Sequence, residues 1–183
     1  MAVNEVLAKY SKDQIKKASQ VKALFFDVDG VLTDGGIIYD DTGVETKRFN
    51  VKDGYIISHL KQAGILVGII TGRESKIVSN RAAELKLDFC HQGISDKHAV
   101  FEKLVEYYKL KRKQVAYVGD DLNDLKTLRA CGLSACPADA VSYIATQVDV
   151  VTQARGGKGA VREVSDLILA AKGVLDKIIK SSL

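Results

Sequence analysis

The chain has 183 residues, 46% of them hydrophobic and 27% charged, and its net charge of +4 is dispersed rather than blocked. That composition fits one soluble globular domain with a substantial core, and it excludes the clustered basic face and base-stacking aromatics of a nucleic-acid binder. No apolar run approaches the roughly 20 residues a membrane span needs, and the N-terminus lacks a signal-peptide core and cleavage site. Cys90, Cys131 and Cys136 form an odd set without C-x-x-C spacing, as expected of reduced thiols in a cytoplasmic protein.

Residues 3–19 place Val6, Leu7, Tyr10, Ile15 and Ala18 among polar neighbours and predict one amphipathic helix ahead of the core. "VKALFF" (21–26) predicts a buried strand. Residues 35–50 alternate around "DDTG" and predict a β-hairpin. A helix over 53–63 follows, with Gly64 as its stop, then a buried strand over 65–71 and a helix over 75–86. After a short strand near 88–90, Ser95 or Asp96 caps a helix whose Val100, Phe101, Leu104, Val105 and Tyr108 form one stripe. "QVAYVGDD" (114–121) is the next strand. Another helix, the short segment "GLSAC", a helix over 139–146 and the strand "VDVV" complete the core. Residues 154–183 begin as a glycine-rich loop and become a terminal helix. Strands separated by helices predict a Rossmann-like α/β fold, a parallel sheet with helices on both faces.

In such sheets the ligand site lies beyond the carboxyl ends of the strands. Asp27, Thr71 and Asp120 stand there, and Lys97 lies in a loop that begins a helix. An aspartate can attack phosphorus and split one displacement into two easier ones. Because two anions then meet, the site needs cations, and Mg²⁺ suits a few carboxylate oxygens. Asp27 and Asp120 are the natural ligands, with the Asp29 backbone carbonyl as a third. The Asp29 side chain, two positions from Asp27, can protonate the leaving oxygen and later deprotonate the attacking water. Gly30 relieves crowding beside the phosphate. Thr71 can donate to a phosphoryl oxygen, Lys97 can pair with phosphate and Asp27, and Asp124 can orient Lys97 or a metal-bound water.

Each residue also has a plainer reading. Thr71 alone suits a helix cap, Lys97 alone a solvated surface, and Asp121 and Asp124 a helix N-terminus. Asp34 reads as a turn residue. "GGKG" lacks the spacing of a phosphate loop and reads as a mobile intersubunit loop. His59, His91 and His98 share no metal-like spacing.

Taken together, "DVDGVLTD", the Thr of "IITGR", the Lys of "SDK" and "GDDLND" resemble the motif set of the haloacid dehalogenase-like superfamily over about residues 21–170. The gaps between Thr33, Thr71 and Lys97 leave no room for a globular cap, so the resemblance implies one capless domain over residues 1–183, with a helical extension (1–20), the hairpin (35–50) and the C-terminal segment (154–183). "GGIIYDDTGVETKRFNVKDG", "GIITGRES" and "RGGKGAVREV" resemble more narrowly the family of 3-deoxy-D-manno-octulosonate (KDO) 8-phosphate phosphatases. That resemblance implies a homotetramer assembled through its hairpins and a glycine-rich segment approaching a neighbour's site. It also implies a Mg²⁺ cofactor, a phosphorylated sugar acid as substrate, and substrate contacts at Asp29, Asn50, Val51, Lys52, Asp53, Gly54, Arg73, Arg81 and Lys97. Guanidinium groups such as Arg73 and Arg81 match a sugar-acid carboxylate bidentately. Ser58 stands where the family commonly has Arg, which keeps open the related 9-phosphate phosphatases of nonulosonic acids. A non-catalytic assembly module and a phosphosugar mutase are the readings from other classes.

Overall fold

The computed structural model describes residues 2–182. Its central sheet contains β1 (Ala23–Phe26), β4 (Leu66–Ile70), β5 (Phe89–His91), β6 (Val115–Val118), β7 (Leu133–Cys136) and β8 (Val150–Val151). The remaining strands, β2 (Ile38–Tyr39) and β3 (Glu45–Thr46), form a separate antiparallel hairpin. The helices are α1 (Ala2–Leu7), α2 (Lys12–Gln20), α3 (Val51–Gln62), α4 (Lys76–Glu84), α5 (Lys97–Tyr107), α6 (Leu125–Ala130), α7 (Ser142–Ala145), α8 (Ala160–Ala171) and α9 (Leu175–Ser181).

The six strands run parallel in the order β5-β4-β1-β6-β7-β8. Successive residues of β1 point to opposite faces, as the pleat requires. Leu24 and Phe26 pack with α3 and α8 through Ile56, Ile57, Leu60, Val164 and Ile168. Ala23 and Phe25 face the other layer, built from Phe101 and Leu104 of α5, Leu128 of α6 and Ile144 of α7. Both faces are therefore covered, which is why β1 and β6 read as unbroken apolar runs. The chain leaves β1, builds β4 on one side, then returns to build β6 on the other. This reversal opens a crevice at the carboxyl ends of these three strands. Register makes those ends level, because Phe26 lies opposite both Ile69 and Val118.

Four local expectations differ from the structure. The N-terminal helix is two helices, interrupted where Ser11 caps α2 and exchanges side-chain–backbone bonds with Gln14. "GLSAC" contains a fully buried strand, β7. The terminal helix is likewise two, broken at Gly173 with φ +69°. The glycine-rich segment is bound within its own chain: Gly156 and Gly157 are buried, and Gly157 N donates to Val31 O at 3.0 Å.

Candidate active site

β1 ends at Phe26, so Asp27 enters the crevice first. Its side chain is buried, with Oδ1 accepting from Val28 N at 2.7 Å and Oδ2 from Lys97 Nζ at 2.5 Å. Lys97 comes from the first turn of α5, whose N-cap is Asp96. Only 1% of Lys97 is exposed, and its ammonium also reaches Asp124 Oδ1 at 2.8 Å. A buried ammonium is tolerable only when paired, which removes the solvated-surface reading of this lysine.

Asp124 is fully buried and fully engaged. Oδ1 accepts from Lys97 and from the Tyr117 hydroxyl at 2.6 Å, and Oδ2 accepts from Asp120 N at 3.2 Å. It holds Lys97 and the Asp120 backbone at once. Asp121 is exposed, and its side chain accepts from Leu122 N at 2.7 Å, a local cap. The Asp120 carboxylate is the remaining acid. One oxygen from each of Asp27, Asp120 and Asp124 lies within 4.8 Å of the others. Burial and the neighbouring Asp27 and Asp124 push Asp120 up to about 7. Burial and Asp124, opposed by Lys97, push Asp27 up to about 6. Carboxylates so crowded carry an excess of negative charge that a divalent cation relieves, and an all-oxygen set suits Mg²⁺. Asp27 and Asp120 would hold it, because Asp124 is spent on Lys97, Tyr117 and the backbone.

Gly30 has φ +83°, and a Cβ there would lie 2.0 Å from Asp120 Oδ2. Only glycine lets the Asp27–Gly30 turn approach that acid. Behind the turn, a Cβ on Gly156 would lie 2.0 Å from Gly30 O, and one on Gly157 would lie 2.7 Å from Asp34 N. "GGKG" thus forms the wall supporting the nucleophile loop. Thr71 is buried at the end of β4, and α4 begins only at Lys76 with Ser75 at its N-cap position. The helix-cap reading of Thr71 is therefore removed.

Asp29 is partly exposed beside Asp27. It is ion-paired with Lys47, and Arg73 Nε lies 3.7 Å from its Oδ2. Arg73 also donates to Glu45 Oε1 at 2.8 Å and Tyr39 Oη at 2.9 Å. Tyr39, Glu45 and Lys47 all come from the hairpin, which leans over the acid pair.

The remaining substrate contacts implied by resemblance lie elsewhere within this chain. Asn50 caps α3, accepting from Lys52 N and donating to Gly157 O at 3.3 Å. Asp53 is 1% exposed and accepts from Arg162 N in the first turn of α8 at 2.7 Å. Burial pushes its carboxyl up to about 6. Lys52 lines a cavity of about 230 Å³ with Tyr10, Lys158 and Arg162. Arg81 pairs with Glu84 at 2.9 Å, sits 5.6 Å from the Phe49 ring and covers Gly54. With Val51 and Gly54 it lines a separate cavity of about 260 Å³. Neither cavity is lined by Asp27, Asp29 or Asp120.

Sequence reasoning missed Lys47, Glu45 and Tyr117. For Tyr117 a signal existed: it is the one hydroxyl-bearing residue in the apolar strand "VAYV", and a buried phenol needs a partner. For the hairpin pair there was none.

The haloacid dehalogenase-like hydrolase model matches residues 50–132. The 3-deoxy-D-manno-octulosonate 8-phosphate phosphatase of Escherichia coli K12 is 46% identical over 91% of this chain and 89% of its own. The chain belongs to that family of haloacid dehalogenase-like hydrolases. Two solved structures carry the same likeness. The Yersinia pestis member is 43% identical, covers 90% of this chain and 89% of its own, and superposes with a TM-score of 0.89. The Moraxella catarrhalis member, solved with magnesium, phosphate and KDO, is 40% identical with a TM-score of 0.93, covering 95% of this chain and all of its own.

Proposed function

We propose that the protein is a Mg²⁺-dependent phosphomonoesterase that hydrolyses KDO 8-phosphate to KDO and phosphate, a step of lipopolysaccharide sugar biosynthesis. The observation that carries this reading is the meeting of Asp27, Asp120 and Lys97 in a chain 46% identical to a phosphatase of that name. Bound Mg²⁺ supplies charge neutralisation and orients phosphoryl oxygens. The chain's own groups do the rest. The Asp27 carboxylate attacks phosphorus, the ester P–O bond breaks, and Asp29 delivers a proton to the departing oxygen. Water then attacks the aspartyl-phosphate, giving its proton to Asp29 and regenerating Asp27. Lys97 neutralises charge beside Asp27, and Thr71 donates to a phosphoryl oxygen.

Arg73, beside Asp29, is the guanidinium we assign to the sugar acid within one chain. Val51, Lys52, Gly54 and Arg81 serve a neighbouring subunit's site in this reading, since the cavities they line stand apart from the acids. Ile37, Ile38, Tyr39 and Val44 are each more than half exposed on the hairpin, a surface suited to burial among copies of the chain. The family resemblance puts the expected solution mass at four chains, and sedimentation showing a monomer at assay concentration removes the tetramer. The cytoplasmic placement is supported by three unbridged cysteines and is checked by cell fractionation; among the described residues no helix is long and apolar enough to cross a membrane.

Ser58 favours keeping one second reading. Its hydroxyl donates to Tyr55 O on the exposed side of α3, so it brings no cation to the substrate. A phosphate-release screen decides between KDO 8-phosphate, nonulosonate 9-phosphates and neutral hexose phosphates. The expected result is highest kcat/KM on KDO 8-phosphate, abolished by EDTA. A preference for neutral sugars removes the sugar-acid assignment, and no release from any ester leaves an assembly module.

A further inference from the structure

We infer that Lys47 is a positioning residue for catalysis: the hairpin brings its ammonium to Asp29, and this contact fixes how the carboxylate faces a departing ester oxygen. The inference rests on the phosphomonoesterase reading above, with Asp29 as proton donor.

Lys47 follows β3, in the most exposed part of the molecule. Its neighbours Thr46 and Arg48 are exposed, yet only 1% of the Lys47 side chain is. A lysine in a solvated arm ordinarily keeps its ammonium in water. Here the ammonium is buried between Asp29 and Glu45, with Glu45 Oε1 at 3.3 Å. Glu45 in turn fastens the arm to the loop after β4. It accepts from Ser75 Oγ at 2.5 Å and from Arg73 at 2.8 Å. The hairpin is docked through Glu45, and Lys47 is the residue it presents to the acid–base group.

The consequence for Asp29 is geometric. A carboxylate rotates about a broad, roughly two-fold torsion, so one contact must choose which oxygen faces the substrate. Lys47 occupies Oδ1 through a charge-assisted bond. That leaves Oδ2, which has Arg73 Nε 3.7 Å away, as the oxygen that carries the proton to the leaving group. Without Lys47 the carboxylate samples both faces, and proton delivery loses its alignment.

Leaving-group dependence separates this role from simple gluing of the hairpin. Cleavage of a sugar phosphate expels an alkoxide and needs the proton, whereas p-nitrophenyl phosphate expels a phenolate that departs without one. The experiment compares kcat/KM on KDO 8-phosphate and on p-nitrophenyl phosphate for the wild type, Asp29→Asn, Lys47→Met and Lys47→Arg. The ratio cancels any shared loss of folded protein. The expected result is that Lys47→Met loses at least tenfold more on the sugar phosphate than on the aryl phosphate. Asp29→Asn should show the same asymmetry, and Lys47→Arg, which keeps the cation, should recover part of it. Equal losses on both substrates, or no loss on either, overturn the role of Lys47 while Asp29→Asn remains asymmetric. If Asp29→Asn is itself symmetric, Asp29 is not the proton donor, and both the mechanistic reading and this inference fall.

Discussion

Asp27→Asn abolishes phosphate release, with kcat falling by about 10⁴-fold or more, as expected when a covalent nucleophile is lost. The amide keeps the shape of the side chain but has no anionic oxygen for phosphorus. Undiminished turnover would overturn the assignment. The same substitution leaves the fold intact, because Lys97 retains Asp124 as a partner. Without metal it is also relieved of a cost. Asp27 is held at about 6, above its ordinary 3.8, chiefly by burial and by Asp124. A group whose folded pKa is raised binds protons better when folded, so its contribution to stability falls as pH rises between about 4 and 6. At neutral pH in EDTA, thermal melting of Asp27→Asn is therefore expected no lower than that of the wild type. A clearly lower melting temperature would mean that the charged Asp27–Lys97 pair is a net stabiliser.

Lys97→Met has the larger effect on the fold itself. It removes the one cation bonded to both Asp27 and Asp124, whose side chains are 7% and 0% exposed. Breaking a buried pair from one side costs about 3–5 kcal/mol, which for a domain of this size lowers the melting temperature by about 10 °C. Methionine keeps most of the volume, so the loss is electrostatic rather than a cavity. Activity also falls steeply, since phosphate and Asp27 no longer share a counter-charge. The stability deficit should narrow as pH is lowered towards 5, below the value of about 6 to which burial and Asp124 raise Asp27. Melting and turnover both unchanged at pH 7.5 would show that Lys97 is dispensable.

The parts of the site legible in the sequence are those whose positions follow from strand ends. Asp27, Thr71 and Asp120 each stand just past an apolar run, and parallel register does the rest. Lys97 and Asp124 were legible as members of a motif set, with Asp124 expected to orient Lys97 or a metal-bound water, and the two side chains are bonded. The hairpin was less readable because its strands are two residues long and largely exposed. Burial therefore does not mark which of its residues turn inward, and Lys47 does so only because the arm folds back on the loop carrying Arg73. Within this chain Asp53, a substrate contact only by resemblance, is the buried partner of a helix start 109 residues away, and no local pattern announces such a pairing. One misread element, the N-terminal helix, carried a usable signal. Ser11 and Gln14 have the spacing of a capping box. The run in "GLSAC" is short enough that periodicity cannot tell strand from helix.

The backbone contact between Gly156 and Gly30 ties the tail of the polypeptide to its beginning. The nucleophile loop is shaped by residues more than a hundred positions downstream, so an amino-terminal fragment ending before residue 156 lacks its backing even with every acid and Lys97 present. The pocket is therefore expected to take shape only once that stretch has lodged against the turn, and a chain truncated at residue 155 should release no phosphate.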